Sequence, residues 1–462
     1  MIHRTAKEPR TARAVKAQII FVLVLLLGAW VIPVRAGSMP HVERIVLPNN
    51  LVLLVSEEHS LPFVVFQMLV DAGSRLDPAG KEGLANLTAK GLLLGTARQN
   101  ANAMNEALDF MGASLNSSAG QDYAAIELQV LKKDLEKGFG FFIDALMSPI
   151  FPEQEIQKEV IKILGAIQSA DEQPMGLAEK TFRKTLFPQS PYGHPIEGTR
   201  ESVSKLTRER DVLQFYRAFY RPNKAILAIV GDITVEEVKA KLIPALAKWP
   251  ANEVEAGAFN ATYAKGPQTI KINRQITQAN IVLGNVGVRR DNPDYYSLSV
   301  MNYILGGGGF GSRLTEEIRV KRGLAYSVVS FFGAEKYQGS FQIVMQTKNP
   351  SAREAIDLAL KEMELIRKEP VSEGDLRRAK AYLIGSFPLR IDTQSKLANF
   401  LAQVEYHGLG LDYPERYPSL INSVSREGVL RVGRAYLHPE QVILVVVGNL
   451  KEAGMESPST GP

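Results

Sequence analysis

Apolar positions along the chain fall into two kinds of run, and the runs come in groups. Residues 51–57 (LVLLVSE) and 64–72 (VVFQMLVDA) are rich in Val, Leu and Phe and are separated by a polar turn, as paired strands are. Residues 269–273 and 279–288 repeat that arrangement later in the chain. The unbroken apolar run 226–230 reads as a buried strand. Between the strand groups, apolar residues recur every three or four positions. This spacing predicts helices over 84–94, 102–111, 132–147, 152–169 and 208–219. It predicts further helices over 295–305, 313–321, 352–368, 372–386 and 394–407. Strands grouped with strands and helices with helices imply an α+β fold, each sheet carrying its helices on one face.

The two halves repeat each other. Residues 220–233 read YRPNKAILAIVGDI and residues 436–450 read YLHPEQVILVVVGNL. Each is a Tyr and Pro turn, an apolar β-run, then Val-Gly-Asp or Val-Gly-Asn. The offset between Gly231 and Gly448 is too long for a solenoid and marks a duplicated domain. The expected division is a leader over 1–36, one domain over 37–250, a linker over 251–267, a second domain over 268–453, and a disordered tail over 454–462.

The leader changes the charge picture. Arg4, Lys7, Arg10, Arg13 and Lys16 precede an uncharged apolar run over 19–34, and Val34-Arg35-Ala36 follows. This is the pattern of a secretory signal peptide cut after Ala36. An uncleaved anchor is the alternative, but the run is short for a bilayer span and Pro33 interrupts it. The expected location is periplasmic or otherwise exported, with no stable membrane insertion after cleavage. Residues 1–36 hold six Lys/Arg and one Glu, so the rest of the chain has 48 basic and 48 acidic residues. The apparent basic character belongs to the leader, and nothing in the charge favours nucleic acid. There is no cysteine, which excludes disulfides, thiolate metal sites and a Cys nucleophile.

Two motifs carry chemistry. Residues 83–96 read GLANLTAKGLLLGT, and residues 305–328 read LGGGGFGSRLTEEIRVKRGLAYSV. Together they resemble the insulinase/pitrilysin family of zinc peptidases, in its processing-peptidase-like branch, and the resemblance covers roughly 41–450, nearly all of the chain after the leader. In that family two His at i and i+4 of one helix bind zinc, a Glu between them polarises water, and a later Glu completes the site. The frame Gly83-Leu84-Ala85 and Gly95-Thr96 is in place here. The positions that the resemblance assigns to the chemistry are not: Asn86 and Lys90 stand for the two His, Ala89 for the Glu, and Ala166 for the later Glu. The resemblance thus implies a degenerate member, with no metal or cofactor held by this chain. His194, in PYGHPIEGT, has no ligand partner at metal-binding spacing and reads as a loop histidine.

The second motif implies the opposite. The resemblance gives Arg322 and Tyr326 a role across a cleft, as donors to a peptide carbonyl during cleavage. A structural role, Arg322 satisfying carbonyls and Tyr326 filling core, is the competing expectation. The glycine run includes Gly307 and Gly308 as candidate peptide contacts; it lacks the Gly-Lys-Ser/Thr ending of a phosphate loop. By the same resemblance Asn116, Ser117 and Ser118 lie on a sheet edge where an extended peptide adds as a strand. The fold implied is two homologous domains, each a mostly antiparallel sheet with helices on one face, paired like a clamshell. The function implied is a non-catalytic, substrate-binding subunit of a heterodimeric peptidase, with zinc in a homologous partner subunit. A peptide-binding scaffold with no part in hydrolysis is the alternative. A stand-alone peptidase of another mechanism lacks a Ser-His-Asp frame or carboxylate pair to support it.

Overall fold

Two sheets of the same design lie in one unit that begins at His41. The computed structural model describes residues 41–251, 262–264 and 266–456. The leader over 1–36, most of the expected linker and residues 457–462 lie outside the described residues. The first sheet contains β1 (Val42–Val46), β2 (Val52–Glu57), β3 (Phe63–Val70), β4 (Ser114–Ala119), β5 (Ala124–Leu131) and β6 (Ala225–Gly231), in the order β1-β2-β6-β3-β5-β4. The second contains β7 (Gln268–Asn273), β8 (Gln278–Val286), β10 (Ala325–Phe332), β12 (Ser340–Lys348) and β13 (Ile443–Gly448), in the order β10-β12-β8-β13-β7. A short parallel pair, β9 (Val288–Arg289) with β11 (Ala334–Glu335), stands beside it. All pairings in the two large sheets are antiparallel except β2 with β6 and β7 with β13. Ile226 and Ile443 occupy matching register positions on β6 and β13, at the offset that the repeat predicts.

Each sheet carries its own helices on one face. In the first half these include α1 (Leu84–Gly91), α2 (Ala101–Met111), α3 (Leu135–Met147) and α4 (Glu153–Glu172). Phe66, Met68 and Leu128 of the sheet pack with Leu87, Phe142 and Ile163 of these helices in one buried core.

The opposite faces are closed by exchange. Helix α5 (Pro174–Leu186), in the first half, puts Ala178, Phe182 and Leu186 against Val282 of β8 and Ile443, Val445 and Val447 of β13. In return, α6 (Gln394–Tyr406), in the second half, packs on β3 and β6 and buries Leu397, Ala398, Leu401 and Ala402. This explains why β3 and β8 are buried along nearly their whole length rather than on alternate residues. Helix α5 is not among the helices expected from the spacing; Pro174 stands in its first turn, where its missing N–H costs nothing. The expected tail also needs correction. Met455 is buried in the second core, and the Gly454 carbonyl accepts from Arg353 at 2.6 Å, so packing continues past 453.

Between the halves lies a polar cluster. Asp122, at the β4–β5 turn, faces Arg75 at 3.7 Å and accepts from the Tyr192 hydroxyl and from the Lys336 backbone N–H at 3.2 Å. Arg75 stacks on Tyr337 at 4.8 Å, and Lys336 on Tyr406 at 4.0 Å. Buried charges are tolerated here because each has an opposite charge, a donor or a ring face.

Candidate functional site: a remodelled helix and an exposed Arg–Tyr pair

Helix α1 starts behind Gly83, whose φ of 94° suits glycine and offers no side-chain cap. Asp77 supplies the cap from the preceding loop. Its Oδ2 accepts from the Gly83 N–H at 2.8 Å and its Oδ1 from the Ala85 N–H at 2.7 Å. Burial pushes the Asp77 carboxyl up to about 7, against the pull of those two N–H groups.

The helix presents no zinc chemistry. Asn86 is 7% exposed, and its amide nitrogen is buried without a hydrogen-bond partner. Ala89 is sealed in the core. Lys90 is exposed and directs its ammonium to Glu159 of α4, Nζ to Oε1 at 3.5 Å. Glu159 is itself buried and also meets Lys162 at 3.2 Å. Ala166 is exposed two turns further along the same helix. A metal ion needs lone pairs, an ammonium has none, and the nearby carboxylate is shared by two ammonium groups. This donor set does not fit zinc. Among the described residues no cluster of three or more His, Cys, Asp or Glu side chains is arranged to hold a metal. His194 points its Nδ1 to the Pro195 carbonyl at 3.0 Å.

Asn116, Ser117 and Ser118 lie on β4, which is the edge of the first sheet. The β4 strand runs in unbroken register with β5, pairing Asn116 with Glu127, Ser117 with Ile126 and Ser118 with Ala125. Its far side carries a row of backbone groups unpaired within the sheet. It has neither the Lys, the Pro nor the bulge that usually protects such an edge. The α1 helix packs against β4, so the remodelled positions sit beside this edge.

The matching edge of the second sheet is β10, and Tyr326 lies on it. The register of β10 with β12 slips between Ala325 and Ser327, which leaves Tyr326 as the extra residue of a β-bulge. Tyr326 is 76% exposed. Over it stands the guanidinium of Arg319, 5.3 Å from the Tyr326 ring centroid and 4.7 Å from that of Phe310, itself 70% exposed. Arg322 is placed otherwise. Its Nη1 donates to the Glu317 carbonyl at 2.9 Å and to Glu317 Oε2 at 2.7 Å. Lys321 also meets Glu317, and the two cations, Lys321 first, hold that carboxyl below the usual range. No hydrogen bond, ion pair or ring contact among the described residues joins Arg322 or Tyr326 to Asn86 or Lys90.

The glycine run is a packed turn. A Cβ on Gly307 would lie 2.7 Å from the Asn302 amide nitrogen, and one on Gly308 would lie 2.6 Å from the Tyr303 carbonyl. Asn302 and Ser330 exchange hydrogen bonds beneath it, at 3.1 and 2.8 Å, tying the turn to β10. Sequence reasoning missed Arg319, Phe310 and Glu159. Arg319 stands only three residues before Arg322, but a bulge cannot be seen in a sequence. Glu159 lies seven residues before Ala166, and its charge was the available signal.

Comparison with known proteins agrees with this description. The profile described as "Insulinase (Peptidase family M16)" matches residues 52–200, and that described as "Peptidase M16 inactive domain" matches 205–383. The non-peptidase homolog YmxG of Helicobacter pylori is 27% identical, over 94% of this chain and 99% of that protein. An uncharacterized zinc protease of Streptomyces coelicolor is also 27% identical, over 89% and 90%. A probable mitochondrial-processing peptidase subunit beta of Arabidopsis thaliana is 24% identical, over 90% and 80%. A crystal structure from Pseudomonas fluorescens, titled as a peptidase M16 inactive domain, superposes with a TM-score of 0.83 at 26% identity, over 88% of this chain and 98% of that one. A protease structure from Helicobacter pylori shares the fold with a TM-score of 0.81 at 19% identity, over 89% and 100%. With its duplicated sheets, its intact helix frame and its replaced ligand positions, the chain belongs to the insulinase family of M16 peptidases, as a degenerate member.

Proposed function

We propose that this chain is the non-catalytic, substrate-binding subunit of a two-chain zinc peptidase, paired with a homologous subunit that holds the metal. The observation that carries this reading is Tyr326. It is mostly exposed on a bulge, under the face of Arg319, so it does not fill core. A phenol and a guanidinium held at a surface are suited to donate to a peptide carbonyl as it gains negative charge. The open β4 edge at Asn116, Ser117 and Ser118 is suited to pair with an extended peptide, through backbone groups that read length rather than sequence. In this reading Arg319 joins Tyr326 at the substrate, and Arg322 braces the preceding turn through Glu317. Zinc belongs to the partner.

In this reading the leader expected over 1–36 directs the chain to the bacterial envelope and the mature chain starts at Gly37; N-terminal sequencing of the exported protein tests that start. No helix among the described residues is long and apolar enough to cross a membrane. The function is tested by copurification, then by peptide hydrolysis with each subunit alone and with both. Activity should require both chains. A partner equally active alone, with the complex nevertheless formed, would reduce this chain to a peptide-binding scaffold.

A further inference from the structure

A cavity of about 480 Å³ lies apart from the Tyr326 surface, between the loop before α1, the end of α5 and the loop over 187–199. Its walls are mostly apolar, with Phe187, Pro188, Pro191 and Pro195 among them. Proline rings and a phenyl ring give flat surfaces that suit an apolar side chain. Its walls are also fixed. A Cβ on Gly193 would lie 2.1 Å from the Phe187 carbonyl, so the 187–199 loop folds tightly on itself, and one on Gly198 would lie 2.1 Å from the Glu82 carbonyl, so that loop meets the one before α1 backbone to backbone. The cavity is therefore formed before any ligand arrives.

The polar groups around it are unequally satisfied. Asp77 is committed to the start of α1, Glu82 accepts from the Gly80 N–H at 3.0 Å, and Lys180 pairs with Asp171 at 2.7 Å. Lys184 is exposed and, among the described residues, makes no hydrogen bond or ion pair. The His194 ring donates through Nδ1 to a carbonyl, which can only accept, so the neutral ring keeps its lone pair on Nε2. That nitrogen is buried and has no partner. The site thus offers an apolar wall and an unpaired cation.

We infer that this cavity binds an apolar amino-acid residue carrying a free carboxylate. Its side chain lies on the Pro191–Pro195 wall and its carboxylate meets Lys184. The same chemistry is offered by an acylated amino acid and by the C-terminal residue of a peptide. Because Asp77 forms one wall and caps α1, an occupied cavity also braces the loop that holds the helix of Asn86 and Lys90.

Calorimetric titration tests this with four probes: N-acetyl-phenylalanine, its amide, and a ten-residue peptide ending in Phe with a free or an amidated end. Both free acids, or the peptide acid alone, should bind saturably, each about three- to fivefold more tightly than its amide, as an exposed ion pair allows. The Lys184→Ala variant should remove that preference. The Ala79→Trp variant, at an exposed lining position, should block binding while leaving the melting temperature unchanged. Equal binding of both acids assigns the site to free acylated amino acids; binding of the peptide acid alone assigns it to a chain terminus. No saturable binding of any probe, or acid and amide binding alike, overturns the inference.

Discussion

The two sheet edges are built alike and have been treated differently. In the first half, α1 packs beside β4, and its polar positions have been closed: Ala89 is sealed and Lys90 is tied to Glu159. In the second half, the chain before β10 keeps its polar groups on the surface, with Arg319 between the rings of Phe310 and Tyr326. A frame that serves packing thus survives the loss of its chemistry, because Gly83, Leu84 and Ala85 set the helix whichever side chains it displays. A bulge and an exposed ring pair contribute little to a core. Their presence in the second half is what gives that half the stronger claim to function.

The sharpest test of the comparison is turnover by the reconstituted pair. Removing an oxyanion donor typically costs ~3–4 kcal/mol, or roughly 10²–10³-fold in rate. Tyr326→Phe and Arg319→Ala should each approach that loss with the complex intact. Arg322→Ala should lower turnover less than tenfold, and Lys90→Met less than threefold. Equal losses at Lys90 and Tyr326 would erase the difference between the halves.

Restoring the first half is the converse experiment. With Asn86→His, Ala89→Glu, Lys90→His and Ala166→Glu combined, the dialysed protein should hold stoichiometric zinc by elemental analysis, and the unaltered chain none. Zinc held by the unaltered chain, and lost on changing α1, would break the account of that helix.

Smaller effects concern stability. Lys90→Met leaves Glu159 with Lys162 alone. Because Lys90 is half in solvent, the expected cost is only ~0.5–1 kcal/mol, or about 1–2 °C in melting temperature. The pH dependence should differ in sign between the halves. Asp77 has a folded pKa of about 7 against an ordinary 3.8, so the folded state keeps a proton that the unfolded state has lost. Its contribution is full below about pH 4 and disappears as pH rises towards 7, by at most ~1.4 kcal/mol per pH unit. Glu317 is held below its ordinary value, so its smaller contribution is present above about pH 4.5 and is lost on acidification. Melting curves of Asp77→Asn should lose the decline between pH 4 and 7, and those of Glu317→Gln should lose part of the acid decline.

Much of this was legible in the chain. The duplicated strand ending at Gly231 and Gly448 located the repeat to the residue, and the frame around Asn86 located the altered helix. Residues far apart in sequence were harder. Nothing near Lys90 announces Glu159, because a helix face pairs with whatever helix packs on it. In AYSVVSFF the alternation hides the bulge, so the exposure of Tyr326 and its pairing with Arg319 needed the register of β10 against β12. Helix α5 escaped because its apolar face, Ala178, Phe182 and Leu186, answers to a sheet made much later in the chain.

That last feature bears on how such a chain is born. When α5 leaves the ribosome, β8 and β13 do not yet exist. At ~5–20 residues per second, β8 follows after roughly 5–20 seconds and β13 after roughly 13–50. Through that interval the nascent first half shows an oily helix face and a bare sheet face together, a surface that chaperones grip and neighbouring chains adhere to. Neither half is a finished object, and a stop codon or protease cut between them should release a fragment that precipitates rather than a working module.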